Sequence, residues 1–155
     1  MPIDIRIAVP SDMDAMARIR TSVRENHMSV EGMAAVGITP ASVLEMLATT
    51  SRGWMASIDQ VPAGFAIANA AKATVFAMFV HPDYEGRGIG KRLLAETESW
   101  LFAQGCDEIW LDTGQEPKIR AHGFYRRLGW ILSGPSVPGE LRYIKRRPVD
   151  MQRAI

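Results

Sequence analysis

Three apolar runs, Trp54–Ile58, Ala63–Ala71 and Thr74–Val80, follow one another with only short breaks between them. No helix fits into Asp59-Gln60-Val61-Pro62 or into Lys72-Ala73. Strands joined so closely run antiparallel, because a parallel return needs a crossover of a dozen or more residues. The stretch predicts a three-stranded meander, and a doubly wound parallel sheet is excluded for it.

The flanking segments alternate between the two periods. Ile3, Ile5, Ile7 and Val9 alternate with polar Asp4 and Arg6, which predicts a half-buried strand. Ser11 with Asp14 resembles a capping box opening a helix, and Met16, Ile19 and Val23 carry its stripe to about Glu25. Asn26–Ile38 has two glycines and no period, so it reads as a loop or a broken helix. Thr39-Pro40 is an N-cap followed by proline at the first helical position, with Val43, Leu44 and Leu47 as the stripe. Lys91–Gln104 is the strongest helix, with Leu93, Leu94, Thr97 and Leu101 inward and Gly105 as its stop. Glu108–Thr113 predicts a strand, Pro117–Leu128 a short helix closed by Gly129, and Trp130–Ser133 and Leu141–Lys145 two final strands. The order β-α-α-β-β-β-α-β-α-β-β predicts an α+β fold: a mostly antiparallel mixed sheet of about seven strands flanked by about four helices. One domain over residues 1–155 is expected, with a core from about 3 to 146 and a polar tail after it.

Lys+Arg total 18 and Asp+Glu 17, a net charge of +1, which argues against a general nucleic-acid binder and leaves room for a local phosphate site. A single cysteine, Cys106, forbids an internal disulfide and fits a reducing compartment. The N-terminus lacks the apolar core of a signal peptide. The longest apolar run, Ala63–Ala71, is well short of the roughly 20 residues of a membrane span, so a cytoplasmic protein with no membrane partner is expected. His27, His81 and His122 have no ligand spacing with Cys106, and no metal is expected.

Glu85-Gly86-Arg87-Gly88-Ile89-Gly90-Lys91 lies between a strand and the strongest helix. A helix N-terminus offers unpaired N–H groups and the positive end of its dipole, and glycines let the backbone approach a ligand closely. Arg87, Lys91 and Arg92 add positive charge. The expected ligand is a phosphate or diphosphate. The dinucleotide fingerprint is excluded because Lys91 stands where its third glycine is required. The P-loop is excluded because Glu85 and Arg92 stand at its first glycine and its Ser/Thr.

Phe79 to Leu94, with Gly88 and Gly90 in a Q/R-x-x-G-x-G/A pattern, resembles motif A of the GCN5-related N-acetyltransferases (GNATs). Glu85 stands there where Gln or Arg is usual. Ala121-His122-Gly123-Phe124-Tyr125-Arg126-Arg127-Leu128-Gly129-Trp130 is similar to motif B, with Lys118 where Asn is frequent. The element order matches that family over about residues 3–146.

The resemblance implies an α/β sandwich and an N-acetyltransferase using acetyl-CoA as co-substrate, without a metal. It implies that the backbone of Met78, Phe79 and Val80 pairs with the pantetheine arm and can polarise the thioester carbonyl. It implies that Gly86, Arg87, Gly88, Ile89, Gly90 and Lys91 take the pyrophosphate, and that Tyr125 is the acid for the leaving thiolate. Asp112, at a strand end, is the candidate base, with Glu31, His27, Glu116 and ordered water as others. The acceptor is expected to be a small-molecule or peptide amine, with Glu25, Glu31 and Glu140 available to attract it. A homodimer is left open. Two rival readings stand beside this one: a non-catalytic acyl-CoA-binding module or sensor, and an RNA-associated enzyme using Arg142, Lys145, Arg146 and Arg147.

Overall fold

The computed structural model describes residues 2–23, 28–115 and 121–149. Seven strands, β1 (Ile3–Ile7), β2 (Ser51–Ile58), β3 (Val61–Asn69), β4 (Thr74–Val80), β5 (Glu108–Gly114), β6 (Ile131–Pro135) and β7 (Glu140–Arg146), build one sheet. Their spatial order is β1-β2-β3-β4-β5-β7-β6, and every neighbouring pair is antiparallel except β4 and β5. The predicted meander is β2, β3 and β4. Its first turn is tighter than expected: only Asp59 and Gln60 lie outside the ladder, at φ 50° and 66°. That positive-φ pair is the twist a two-residue hairpin requires.

The helices are α1 (Met13–Ser22), α2 (Val30–Ala35), α3 (Pro40–Thr49), α4 (Ile89–Ala103) and α5 (Ala121–Arg127). One more is present than expected, because α2 occupies part of the stretch read as a loop. None of its residues is buried, so no apolar period marks it; Ser29 Oγ, accepting from the Gly32 amide at 3.0 Å, starts it. Residues 24–27, 116–120 and 150–155 lie outside the described residues, and with them His27, Glu25, Glu116, Lys118, the start of the predicted helix Pro117–Leu128 and most of the predicted tail.

The box expected at Ser11 and Asp14 does not form. Asp12 holds the entry to α1 instead: its carboxylate accepts the Val9 amide at 2.7 Å and two Arg6 nitrogens at 2.7 and 2.8 Å. At α3 the expectation holds, since Thr39 Oγ1 accepts from the Ser42 amide (3.1 Å) and Ser42 Oγ from the Thr39 amide (2.9 Å). The stripe of α3 is rotated from the predicted one, with Val43, Met46 and Leu47 packed and Leu44 exposed.

Helices cover both faces. Under α4 and α5 lie Leu93, Leu94, Leu101, Ile109, Leu111, Trp130 and Tyr143. Under α1 and α3 lie Met16, Ile19, Val43, Met55, Phe65 and Ile67. Each fully buried Leu or Ile contributes about 1.5–3 kcal/mol. Ile7 and Val9 stay exposed, at the end of the edge strand β1 and just beyond it. Among the described residues no helix is long and apolar enough to cross a membrane.

Candidate active site

The sheet parts in its middle. β4 and β5 share a single register pair, Thr74 with Trp110. The Thr74 hydroxyl donates to the Trp110 carbonyl at 2.8 Å, the Trp110 amide to the Ala73 carbonyl at 3.0 Å, and the indole N–H to the Lys72 carbonyl at 2.8 Å. Beyond that joint each strand follows its outer neighbour: β4 stays on β3 as far as Val80 opposite Gly64, and β5 stays on β7 as far as Gly114 opposite Glu140. Phe76 is skipped between the pairs Ile67–Ala77 and Ala68–Val75, a bulge that adds local twist. The result is a fork open at the carboxyl ends of the two parallel strands, where Met78, Phe79 and Val80 line one arm.

The glycine loop stands at the tip of that arm. A short 3-10 turn, Pro82–Tyr84, leads out of β4, and His81 Nδ1 accepts the Asp83 amide at 3.1 Å. Gly86 and Gly88 then take φ 77° and 83°, and Gly88 caps α4 with no side chain serving as cap. A Cβ at either glycine would meet no protein atom within 4 Å, so backbone conformation and open space, not crowding, call for glycine there. The first helical bond of α4 is the Arg92 amide to the Gly88 carbonyl. Among the described residues no protein acceptor takes the amides of Gly86, Arg87, Gly88, Ile89, Gly90 or Lys91. A concave row of unengaged N–H groups at the positive end of a 15-residue helix can hold a diphosphate. The Arg87 guanidinium lies 5.3 Å from the Tyr84 ring centre, beside this row.

On the opposite side of β5, α5 presents Tyr125. Its ring is buried against Phe124 (5.3 Å between centres), Tyr143 (5.8 Å) and Trp130 (6.1 Å). Burial first, and Tyr143 second, pushes its pKa well above that of a free phenol. No described residue hydrogen-bonds the Tyr125 hydroxyl. Burial thus holds the phenol neutral, with its proton uncommitted among the described residues. Gly129 (φ 89°) ends α5, and Trp130 is anchored through its indole N–H to Glu98 at 3.1 Å.

Asp112 lies on β5 as expected, yet both its oxygens are occupied: Arg142 Nε donates to Oδ1 at 2.8 Å and Nη2 to Oδ2 at 3.1 Å. Arg142 also stacks on Trp110, 3.8 Å from its ring centre. The paired guanidinium favours the ionised carboxylate, which makes Asp112 a poor proton acceptor. The acid beside this pair is Glu140, cross-strand from Gly114 at the open end of the fork. Burial, and then the charge of Asp112, raises its pKa above the usual carboxylate value, with Arg142 opposing. Glu31 sits in the first turn of α2, exposed. The four-residue basic run proposed for RNA is internally compensated: Arg142 pairs with Asp112, Lys145 with Glu98, Arg146 with Glu108 and Arg147 with Asp107.

Arg20 on α1 carries no sequence signal, since with Arg18 two positions before it the residue reads as part of a solvated basic face. Its guanidinium rests 4.2 Å above the centre of the Phe79 ring, and its Nη1 is buried with no hydrogen-bond partner. A separate depression lined by Arg6, Arg52, Trp54 and Trp100 lies over β1, β2 and α4, away from the fork. No group of three or more metal-ligating side chains occurs among the described residues.

A family model described as the acetyltransferase (GNAT) family matches residues 18–130. The aminoglycoside N(6')-acetyltransferase type 1 of Stenotrophomonas maltophilia is 25% identical over 130 residues, which is 81% of this chain and 84% of that protein. The PaiA N-acetyltransferase of Thermoplasma acidophilum, solved in complex with coenzyme A, superimposes with a TM-score of 0.80 at 18% identity, covering 95% of this chain and 100% of that one. Ard1 of Thermoplasma volcanium superimposes with a TM-score of 0.74 at 14% identity, covering 94% and 98%. These structural likenesses carry the fold alone. The family match spans well over half of the chain, and the protein belongs to the GCN5-related N-acetyltransferase (GNAT) family of acetyl-CoA-using acetyltransferases.

Proposed function

We propose that the protein moves the acetyl group of acetyl-CoA directly to a primary amine while both substrates are bound. The single observation behind this reading is the row of unengaged amides from Gly86 to Lys91 at the mouth of the fork. Those amides take the pyrophosphate, with Arg87 and Lys91 beside it. The parted edge of β4 at Met78, Phe79 and Val80 gives the pantetheine arm a strand to pair with. One backbone N–H of that edge faces the thioester oxygen and stabilises the oxyanion as it forms.

The amine nitrogen attacks the carbonyl carbon; the C–N bond forms, the C–S bond breaks, and the electron pair of the broken bond stays on sulfur. Tyr125 supplies the proton to that sulfur. Its environment keeps the phenol protonated across the neutral range, so it donates only when a stronger base than water develops beside it. The ammonium proton goes to Glu140, whose raised pKa makes it a better acceptor than an ordinary carboxylate. Asp112 then acts through its neighbours: it fixes Arg142 and adds the negative charge that keeps Glu140 basic.

Calorimetric titration with acetyl-CoA followed by a thiol-release screen over amines tests the proposal. Binding together with amine-dependent thiol release is the expected result. No heat at millimolar acetyl-CoA removes the reading. Binding with no release from any amine replaces it with the acyl-CoA-binding module.

A further inference from the structure

We infer that the acceptor is an amine that also carries a carboxylate, and that Arg20 receives that carboxylate on the α1 side of the fork. The inference rests on the acetyl-transfer reading above and names its substrate class. Phe79 belongs to the part of β4 that has left β5, so a cation seated on its ring borders the opening. Half-buried arginines elsewhere in the chain have acids: Arg142 has Asp112, and Arg147, a tenth exposed, has Asp107 and the Cys106 carbonyl. Among the described residues Arg20 has none; the Phe79 ring is the contact its guanidinium makes, and its Nη1 has no hydrogen-bond partner there. Burial lowers its pKa and no carboxylate offsets that. A guanidinium does not give up its charge in a protein, so the desolvation cost stands until an anion arrives.

The other flank has the opposite sign. Glu140 stands at the open end of β7, across the fork. A cation on one arm and an acid on the other match a molecule with an anion and an ammonium group, such as an amino acid or a peptide with a free C-terminus. They mismatch a polycation, whose second and third ammonium groups would approach Arg20. The aminoglycoside enzyme of Stenotrophomonas maltophilia is named for acceptors of that polycationic kind. The inference therefore separates this chain from a relative that shares its family.

The test is steady-state thiol release with acetyl-CoA over α-amino acids and dipeptides, their C-terminal amides, and two polycations, spermidine and kanamycin. The expected result is consumption of at least one acid, with kcat/KM roughly tenfold or more above its amide, since a hydrogen bond to a charged group contributes on that order. Arg20→Gln should remove the preference by raising KM for the acid tenfold to a hundredfold, roughly. The amide rate should fall far less than the acid rate, and Arg20→Lys should restore part of the preference. Arg20→Met should raise Tm while abolishing the preference, a combination a structural arginine would not give. Acids consumed no better than their amides, polycations preferred, or Arg20→Gln slowing acid and amide alike would each overturn the inference. If acetyl-CoA fails to bind, the underlying reading falls with it; if acetyl-CoA binds and only amides or polycations react, the inference alone fails.

Discussion

Replacing Gly88 with alanine separates the loop's conformational role from its role toward a ligand. Gly88 sits at φ 83°, where an L-residue is disfavoured by about 1–2 kcal/mol. Alanine also stiffens the unfolded chain, which returns about 0.4–1 kcal/mol. The added methyl meets no protein atom within 4 Å, so no clash is superimposed. The net cost is about 1 kcal/mol, a fall in Tm of roughly 2–4 °C for a chain of this size. Gly37, at φ 85° and equally unobstructed, is the matched control with the same backbone strain. Thermal melts should therefore show the two variants lowered by similar amounts. Calorimetry should part them. In Gly88→Ala the methyl enters the space before the unengaged amides, and losing one charge-assisted hydrogen bond weakens acetyl-CoA roughly tenfold or more; Gly37→Ala should bind acetyl-CoA like the parent. Equal affinity in all three proteins would refute the assignment of this loop to the pyrophosphate. Equal weakening in both variants would mean that stability alone is being read.

Tyr125→Phe should lower kcat by roughly one hundredfold or more through loss of the acid, while acetyl-CoA affinity and Tm hold, because among the described residues the hydroxyl has no partner to leave stranded. The pH profile of kcat/KM should fall on the acid side with a midpoint above that of an ordinary carboxylate, and Glu140→Gln should remove that limb along with most of the activity. The same raised pKa has a definite sign in stability. Glu140 holds its proton more tightly folded than unfolded, so it favours the fold at low pH and that contribution is lost as pH rises through the folded pKa; Glu140→Gln should flatten this part of the stability curve. Asp12 has the opposite sign. Its pKa is lowered first by the Arg6 hydrogen bond, so its contribution is present above the unfolded pKa and lost as pH falls through the lower, folded one. Asp12→Asn should cost about 1–3 kcal/mol in denaturant unfolding, since it breaks the Arg6 fork and the Val9 amide bond together.

Elements that repeat a pattern were legible; those that depend on a single contact were not. The α4 stripe of Leu93, Leu94, Thr97 and Leu101 is visible in sequence because each of its members is fully buried on one face. The meander is visible because turn length limits strand direction. The loop from Gly86 to Lys91 is visible because glycine spacing before a helix reports a backbone need. By contrast α2 buries nothing and so leaves no period. The Ser11 box fails because Asp12 takes the helix entry through a partner in Arg6, six residues earlier, beyond the three-residue span of a capping box. Asp112 was legible as an acid at a strand end, but its commitment to Arg142 depends on the β5–β7 register, which joins residues 30 positions apart. Arg20 was illegible for the same reason: nothing near it in sequence says that Phe79 will lie beneath it.

The fork itself follows from where the sheet's bonds are placed. Were β4 and β5 paired along their whole length, Met78, Phe79 and Val80 would have no free edge, and the site would close. The bulge at Phe76 lets β4 turn while β3 still holds it, and β7 holds β5 over all of its length, so each arm keeps one full partner when the two separate. One joint, Thr74 with Trp110, is enough to set the angle, because it is made three ways, through the threonine hydroxyl, the tryptophan amide and the indole. The unpaired edge, the start of α4 with no side-chain cap, and the Tyr125 hydroxyl and Arg20 cation, which have no hydrogen-bonding or acidic partner among the described residues, are four local departures from good packing. They lie on β4, α4, α5 and α1, while Leu93, Leu94, Thr97 and Leu101 on the inner face of α4 are fully buried. A fold leaves such groups unsatisfied together only where something else completes them.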